Sequence, residues 1–216
     1  MSNTKWLSTS IGRKFFMALT GLFLITFITL HLAINLLTMV SKDAFNEASH
    51  FMATNPLIQV MQYVLAAGFL IHIVMGINLT LKNKSARPEK YAYNRPSANS
   101  GFSSRSMIIT GMLVLVFLVL HLRDYFVELK FGDMNGFDND YDLVVTLFGM
   151  WYYTLIYVLA FIALGIHLNH GFQSAFQSMG ANHSRYTPLI KKLGAVYCVI
   201  IAAGFSAIAI FHFVNA

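Results

Sequence analysis

Five long apolar runs limit what this chain can fold into. A helix needs about 20 predominantly apolar residues to cross the hydrocarbon core of a bilayer. Such runs occupy about 15–40, 57–81, 105–129, 143–173 and 189–214. Only 11% of the 216 residues are charged, whereas soluble domains carry about 25%. We therefore predict an all-α integral membrane protein, a five-helix bundle that forms a single domain over 1–216.

The charged residues fall unequally on the two sides that five spans define. Twelve of the 15 Lys and Arg residues lie in 1–14, 82–105 or 174–192, whereas eight of the nine acidic residues lie on the other side. The positive-inside rule places the basic side, and hence the N-terminus, in the cytoplasm and the C-terminus outside. A basic inner face suits anionic lipid or a soluble partner, so the net charge of +6 does not require nucleic acid.

The first four spans repeat as two hairpins. The stretch Gly21–Leu32 reads GLFLITFITLHL, and 90 residues later Gly111–Leu122 reads GMLVLVFLVLHL. Ser10/Ser100, Met17/Met107 and Thr20/Thr110 recur in the same register. The second and fourth spans share Ile-His followed by Gly76 or Gly171. Duplicated hairpins related by an axis along the membrane normal often place a site at the repeat interface.

One histidine lies inside each of these four spans: His31, His72, His121 and His167. A polar ring in hydrocarbon is costly and usually functional. With a rise of 1.5 Å per residue, His31 and His121 lie roughly 21–24 Å from the cytoplasmic ends of their spans. His72 lies roughly 22 Å from the outer end of its span, and His167 lies deeper still. The four residues thus sort into an outer pair, His31 with His121, and an inner pair, His72 with His167.

Haem suits a pair of imidazoles in hydrocarbon, because two neutral nitrogens take the axial positions of an apolar macrocycle. We predict that His31 and His121 bind the iron of an outer haem, and that His72 and His167 bind the iron of an inner haem. Bis-histidine ligation leaves no axial position for oxygen, so electron transfer is the expected task. Zinc or copper transport is the competing use, but it usually needs carboxylates or thiolates at the same depth, and the spans hold one cysteine, Cys198.

Several interfacial residues are candidates for secondary roles. Arg13, Lys82 and Arg105 lie where they would meet inner haem propionates or a docked partner, and Arg123 where it would meet an outer propionate. His170 is a further candidate for an inner propionate. Each of these residues has an alternative role as an interfacial anchor or hydrogen-bonding group.

With these motifs in place, the chain resembles the di-haem cytochrome b membrane anchor of succinate:quinone oxidoreductases, of the type with one five-helix subunit. The resemblance rests on the segment His31-Leu-Ala-Ile-Asn35, then on His72, His121, and His167 with Gly180 after it. The resemblance implies two b haems bound by the first and third and by the second and fourth of these histidines. It also implies a bacterial cytoplasmic membrane and a quinone, menaquinone being expected. The implied partners are a flavoprotein and an iron–sulfur subunit on the cytoplasmic face, in a complex that can form oligomers.

The resemblance also bears on proton and quinone chemistry. In this family the subunit does not itself bind succinate. Some members use a glutamate two residues before the fourth ligand in proton movement, and Gly165 stands there in this chain. A glutamate near the outer end of the first hairpin is linked to quinol chemistry in some members. Glu47, with His50, is the nearest candidate for that outer quinone site, and a solvated loop acid is the alternative.

Two other functions remain open at this point. The chain could be the cytochrome b anchor of a hydrogenase or formate dehydrogenase, which a co-purifying nickel or molybdenum protein would indicate. It could also be a metal transporter or assembly factor without redox function, which bound zinc or copper without iron would indicate.

Overall fold

The computed structural model describes residues 9–85, 106–132 and 136–216, so Arg105 lies outside the described residues. These residues are almost entirely helical. The helices are α1 (Ser10–Leu36), α2 (Lys42–Thr54), α3 (Pro56–Ser85), α4 (Met107–His121), α5 (Glu128–Phe131), α6 (Asp140–Gly149), α7 (Trp151–Ser178) and α8 (Thr187–Val214). Five segments are long and apolar enough to span a membrane: Ile11–Met39, Pro56–Asn83, Met107–Phe131, Trp151–Ser178 and Thr187–Val214. The prediction of an all-α, five-span membrane protein is confirmed.

The predicted fourth span, 143–173, is wrong as one continuous helix. The structure divides it at Met150, whose extended backbone (φ −86°, ψ 117°) separates α6 from α7. The Thr154 hydroxyl donates to the Phe148 carbonyl at 2.6 Å, which satisfies a buried backbone group that the break leaves free. Hydropathy stays high through both helices, so the hydropathy pattern does not indicate the break at Met150. The span itself begins at Trp151 and continues to Ser178.

The polar segment 41–55 between the first two predicted spans is mostly α2. Ser41 begins this helix by accepting a hydrogen bond from the Ala44 N–H at 3.1 Å, as a good N-cap does. Phe45 is buried and anchors the helix to the bundle. The connection is therefore a short amphipathic helix and not an irregular loop.

Polar contacts bind α2 to the start of α6. The Lys42 ammonium donates to both carboxylate oxygens of Asp142, at 2.8 and 2.9 Å. That hydrogen bond raises the pKa of Lys42 above its usual value. Asn46 donates to the Asn139 side chain at 3.1 Å, and Ser49 donates to Asp140. These contacts hold the predicted outer ends of the first and second hairpins together.

Four helices form a ring that the fifth span packs against. Helix α1 contacts α3 on one side and α7 on the other, α7 also contacts α4, and α3 approaches α4 only weakly. Helices α1 and α4 therefore lie at opposite corners, as do α3 and α7. Helix α8 packs outside the ring on α7 and α1. A Cβ on Gly165 would lie 3.0 Å from the Ala202 Cβ, so this glycine allows α7 and α8 to approach closely, as small residues do in membranes.

A buried hydrogen bond joins α8 to the end of the first span. His212 Nε2 lies 2.9 Å from the Thr38 hydroxyl, and both residues are 2% exposed. The Thr38 hydroxyl also lies 2.7 Å from the Asn35 carbonyl, to which it donates. Since a hydroxyl has one proton, Thr38 accepts from the His212 ring.

We expect Thr38→Val to lower stability by about 1–3 kcal/mol, because it leaves a buried ring N–H of His212 without an acceptor. The measurement is the heat-induced loss of helicity of the purified protein in detergent. Thr26→Val is the matched control, since Thr26 is exposed and bonds only the Leu22 carbonyl one turn earlier. Equal destabilisation by the two substitutions would contradict the structural role of the Thr38 hydroxyl.

Candidate haem-binding site

The four span histidines meet as two pairs across the bundle. The rings of His31 on α1 and His121 on α4 have centroids 5.8 Å apart and planes at 84°. The rings of His72 on α3 and His167 on α7 have centroids 6.5 Å apart and planes at 74°. Each pair joins helices at opposite corners of the ring, so both pairs lie inside it.

These separations suit two imidazoles that share one iron. Histidine–metal bonds of about 2 Å on opposite sides of an ion place the ring centroids about 6 Å apart. Among the described residues, no three His, Cys, Asp or Glu side chains lie close enough to hold a metal ion. A pair of imidazoles fits haem iron, because the porphyrin supplies the four remaining ligands. The surroundings are apolar and aromatic, with Phe27 stacked on His31 at 5.4 Å and Phe117 beside His121 at 5.7 Å.

The inner pair lies beside a repeated Thr-Gly dipeptide. The Thr20 hydroxyl on α1 is 3.2 Å from His72 Nδ1, and the Thr110 hydroxyl on α4 is 3.4 Å from His167 Nδ1. A Cβ on the following glycine would lie 3.6 Å from His72 Cε1 at Gly21, and 3.2 Å from His167 Cε1 at Gly111. We call Thr20-Gly21 and Thr110-Gly111 the Thr-Gly seats. They place the inner pair at the level of Gly21, roughly 15 Å along α1 from His31.

The outer pair has different neighbours. His31 Nδ1 lies 3.5 Å from the Asn35 side-chain amide nitrogen. His121 Nδ1 is buried and has no hydrogen-bond partner within the described part of the chain. The residue that matches Asn35 in the repeat is Tyr125, whose ring centroid is 5.2 Å from that of His121. The two hairpins are therefore alike around the inner pair and different around the outer pair.

A buried polar cluster adjoins the outer pair on the π-helical turn Leu122–Val127. The Asp124 side chain is only 5% exposed, and Arg123 binds its Oδ1 atom. Arg123 also donates to the Tyr153 hydroxyl at 3.3 Å. The Asp124 Oδ2 atom and the hydroxyls of Tyr125 and Tyr157 are buried without a hydrogen-bond partner among the described residues. Asp124, which lies one turn beyond His121, is not among the site residues that the sequence predicts.

With this geometry in view, the chain can be compared with known proteins. A curated protein of Bacillus subtilis (strain 168), named succinate dehydrogenase cytochrome b558 subunit, is 24% identical over 200 residues. The alignment covers 90% of each chain. This similarity supports membership of the succinate dehydrogenase cytochrome b anchor family. No protein-family model matches the chain, and no solved structure matches it.

The remaining predicted site residues lie farther from the histidine pairs. Glu47 and His50 are exposed on α2, and Lys82 is exposed near the C-terminal end of α3. Arg13 is partly buried in the first turns of α1. His170, one turn after His167 on α7, is half-buried and lies within electrostatic range of that ligand candidate.

Arg123 is already engaged by Asp124 and Tyr153. The proposed contact between Arg123 and an outer propionate therefore has to compete with these two partners. The same residue nevertheless lies near the outer pair, two positions after His121 on the chain.

Proposed function

We propose that this chain is the membrane-anchor cytochrome b subunit of a succinate dehydrogenase or fumarate reductase. It would carry electrons between an iron–sulfur subunit and membrane menaquinone or another quinone. The observation that carries the proposal is the presence of two imidazole pairs, each with centroids about 6 Å apart as one shared metal requires, at two levels of one duplicated bundle. The similarity to the Bacillus subtilis subunit over 90% of the chain supports the same family.

In this proposal, His31 and His121 hold the outer haem, and His72 and His167 hold the inner haem. Bound haem supplies one-electron chemistry between ferrous and ferric iron. With two histidines holding each haem, neither haem would have a position free to bind oxygen. The helices at the four corners and the aromatic rings around His31 and His121 keep water away from the ligating nitrogens.

The partners proposed are a flavoprotein and an iron–sulfur protein on the cytoplasmic face of a bacterial inner membrane. The support is electrostatic. Helices α1 and α8 begin on the side where α3 ends, and Lys14, Lys82, Arg185, Lys191 and Lys192 are exposed there. This exposed positive charge would attract an acidic partner surface and the anionic inner leaflet. It also supports a cytoplasmic N-terminus and an external C-terminus.

A quinone site at the outer end is proposed with Glu47 and His50 as candidate residues. They lie one turn apart on α2 and are exposed, so a membrane-soluble ligand can reach them. A carboxylate there can accept a quinol proton as a general base.

We expect the purified complex to contain about two haems per copy of this chain, bound without covalent attachment, together with a flavoprotein and an iron–sulfur protein. Pyridine haemochrome analysis gives the haem count, and mass spectrometry of the intact complex identifies the subunits. A haem-replete preparation without a Soret band would refute the proposal. Co-purification of a molybdenum or nickel protein would instead indicate an anchor for formate dehydrogenase or hydrogenase, and zinc or copper without iron would indicate a transporter.

A further inference from the structure

The hydrogen bonds at the Thr-Gly seats constrain the protons of the inner histidines. The Thr20 hydroxyl lies 3.1 Å from the carbonyls of Phe16 and Met17 in its own helix, and it donates to them. Threonine in a helix commonly bonds backward in this way. A hydroxyl has one proton and two lone pairs, so the oxygen that faces His72 Nδ1 at 3.2 Å is left to accept. The His72 ring must then donate Nδ1–H.

A similar arrangement recurs at the second seat, where the Met107 backbone is a further hydrogen-bond partner of the His167 ring. The Thr110 hydroxyl lies 3.1 Å from the carbonyls of Ser106 and Met107 and faces His167 Nδ1 at 3.4 Å. A neutral imidazole carries one N–H. With that proton on Nδ1, the Nε2 lone pair of both inner histidines is free to bind a metal.

The glycines explain why the contact is available to threonine. Gly21 and Gly111 have no side chain where the ring of the inner histidine passes, and a Cβ at Gly111 would already be 3.2 Å from His167 Cε1. Each ring therefore lies against the helix backbone, within reach of the preceding hydroxyl. Neither outer histidine has a hydroxyl at Nδ1 among the described residues: the Asn35 amide nitrogen lies 3.5 Å from His31 Nδ1 and donates to the His31 carbonyl at 2.8 Å, and His121 Nδ1 is without a partner in the described segments.

We propose that Thr20 and Thr110 are positioning residues that fix His72 and His167 as Nδ1–H tautomers, which would leave Nε2 of each ring available to hold the haem. The inference rests on the proposed di-haem function. Hydrogen bonding from the second ring nitrogen orients a histidine ligand and makes it more basic. A more basic ligand favours ferric over ferrous iron, so the two threonines lower the reduction potential of the inner haem and leave the outer haem unaffected.

The test is a spectroelectrochemical titration of the whole complex carrying Thr20→Val or Thr110→Val. We expect each substitution to raise the midpoint potential of the same one of the two haems, because both threonines serve one pair. Thr20→Ser and Thr110→Ser keep the hydroxyl and should restore the wild-type potential. Thr26→Val, which removes a comparable hydroxyl from an exposed site on α1, should change neither potential.

Three results would overturn the inference: unchanged potentials in both valine variants, shifts of different haems, or serine variants that behave like valine variants. If a valine variant fails to assemble, the alanine variant at the same position is titrated in its place. The electron paramagnetic resonance spectrum of the ferric protein gives a second readout, since it reports ligand orientation. A wild-type complex without haem would refute the proposed function, whereas two haems with potentials insensitive to Thr20 and Thr110 would refute this inference alone.

Discussion

Replacing His72 with alanine is expected to reduce the haem content of the complex from about two per chain to about one, because one axial ligand of the inner iron is lost. His167→Ala should remove the same haem, and His31→Ala or His121→Ala should remove the other. Difference spectra of the reduced complexes, with pyridine haemochrome analysis, give the count and show which haem remains. His50→Ala is the control, because His50 is exposed on α2 and belongs to neither pair.

Double substitutions make this expectation sharper, because they test the pairing and not only the need for each residue. His72→Ala combined with His167→Ala should retain about one haem, since both changes fall on one site. His72→Ala combined with His121→Ala should retain none. Equal haem content in these two variants would show that the ring pairs seen at 6.5 and 5.8 Å are not the ligand pairs.

Which histidine rings lie close together could be predicted from the sequence, because the depth of a residue in a span depends on the helix rise. Helix rise is constant at 1.5 Å per residue, so the position of a histidine within an apolar run gives its depth. The duplication then relates the first hairpin to the second. Neither step requires knowledge of side-chain contacts, and the structure places the same residues together.

The interruptions of the helices could not be predicted in this way. Met150 lies in a run that stays apolar on both sides, and the hydrogen bond from Thr154 to the Phe148 carbonyl across the break is visible only in the structure. The π-helical turn Leu122–Val127 also has no sequence signal. It widens the helix at positions that match 32–37 of the first repeat, which is α-helical to Leu36, and the 3₁₀ turn Leu37–Met39 follows directly in the first repeat.

These distortions lie at the ends of the first and third spans, where the two hairpins differ. Around the inner pair, Thr20 and Thr110 make equivalent contacts with His72 and His167. Around the outer pair, the side chains of Asp124 and Tyr125 are buried beside His121 within a π-helical turn. Such turns occur frequently at functional sites, which makes this end of the third span the place where the repeat has diverged most.

The sequence repeat shows that Thr20 and Thr110 occupy equivalent positions, but it does not show which residues they contact. The glycines illustrate the same limit. Gly76 and Gly171 lie one turn after the inner histidines on the same helices. In the structure a Cβ on Gly76 would meet Met17, whereas Gly21 and Gly111 face the inner rings. A Cβ on Gly171 would meet nothing within 4 Å, so the inner rings themselves lie against the glycines of the neighbouring helices, Gly21 and Gly111.

Gly111→Leu is expected to remove the inner haem and to leave the outer one in place. Even a Cβ at this position would lie 3.2 Å from His167 Cε1, and a leucine side chain extends into the space that the ring occupies. Overpacking of this kind costs about 1–3 kcal/mol. Here the ring that must move is a candidate haem ligand, so the substitution should weaken haem binding.

Met112→Leu is the control, because it introduces the same side chain at the next position, which is exposed, and it should retain about two haems. Gly21→Leu, at the other Thr-Gly seat, should remove the same haem as Gly111→Leu. Full haem content in both glycine variants, or loss of the outer haem alone, would show that the seats do not support the inner pair.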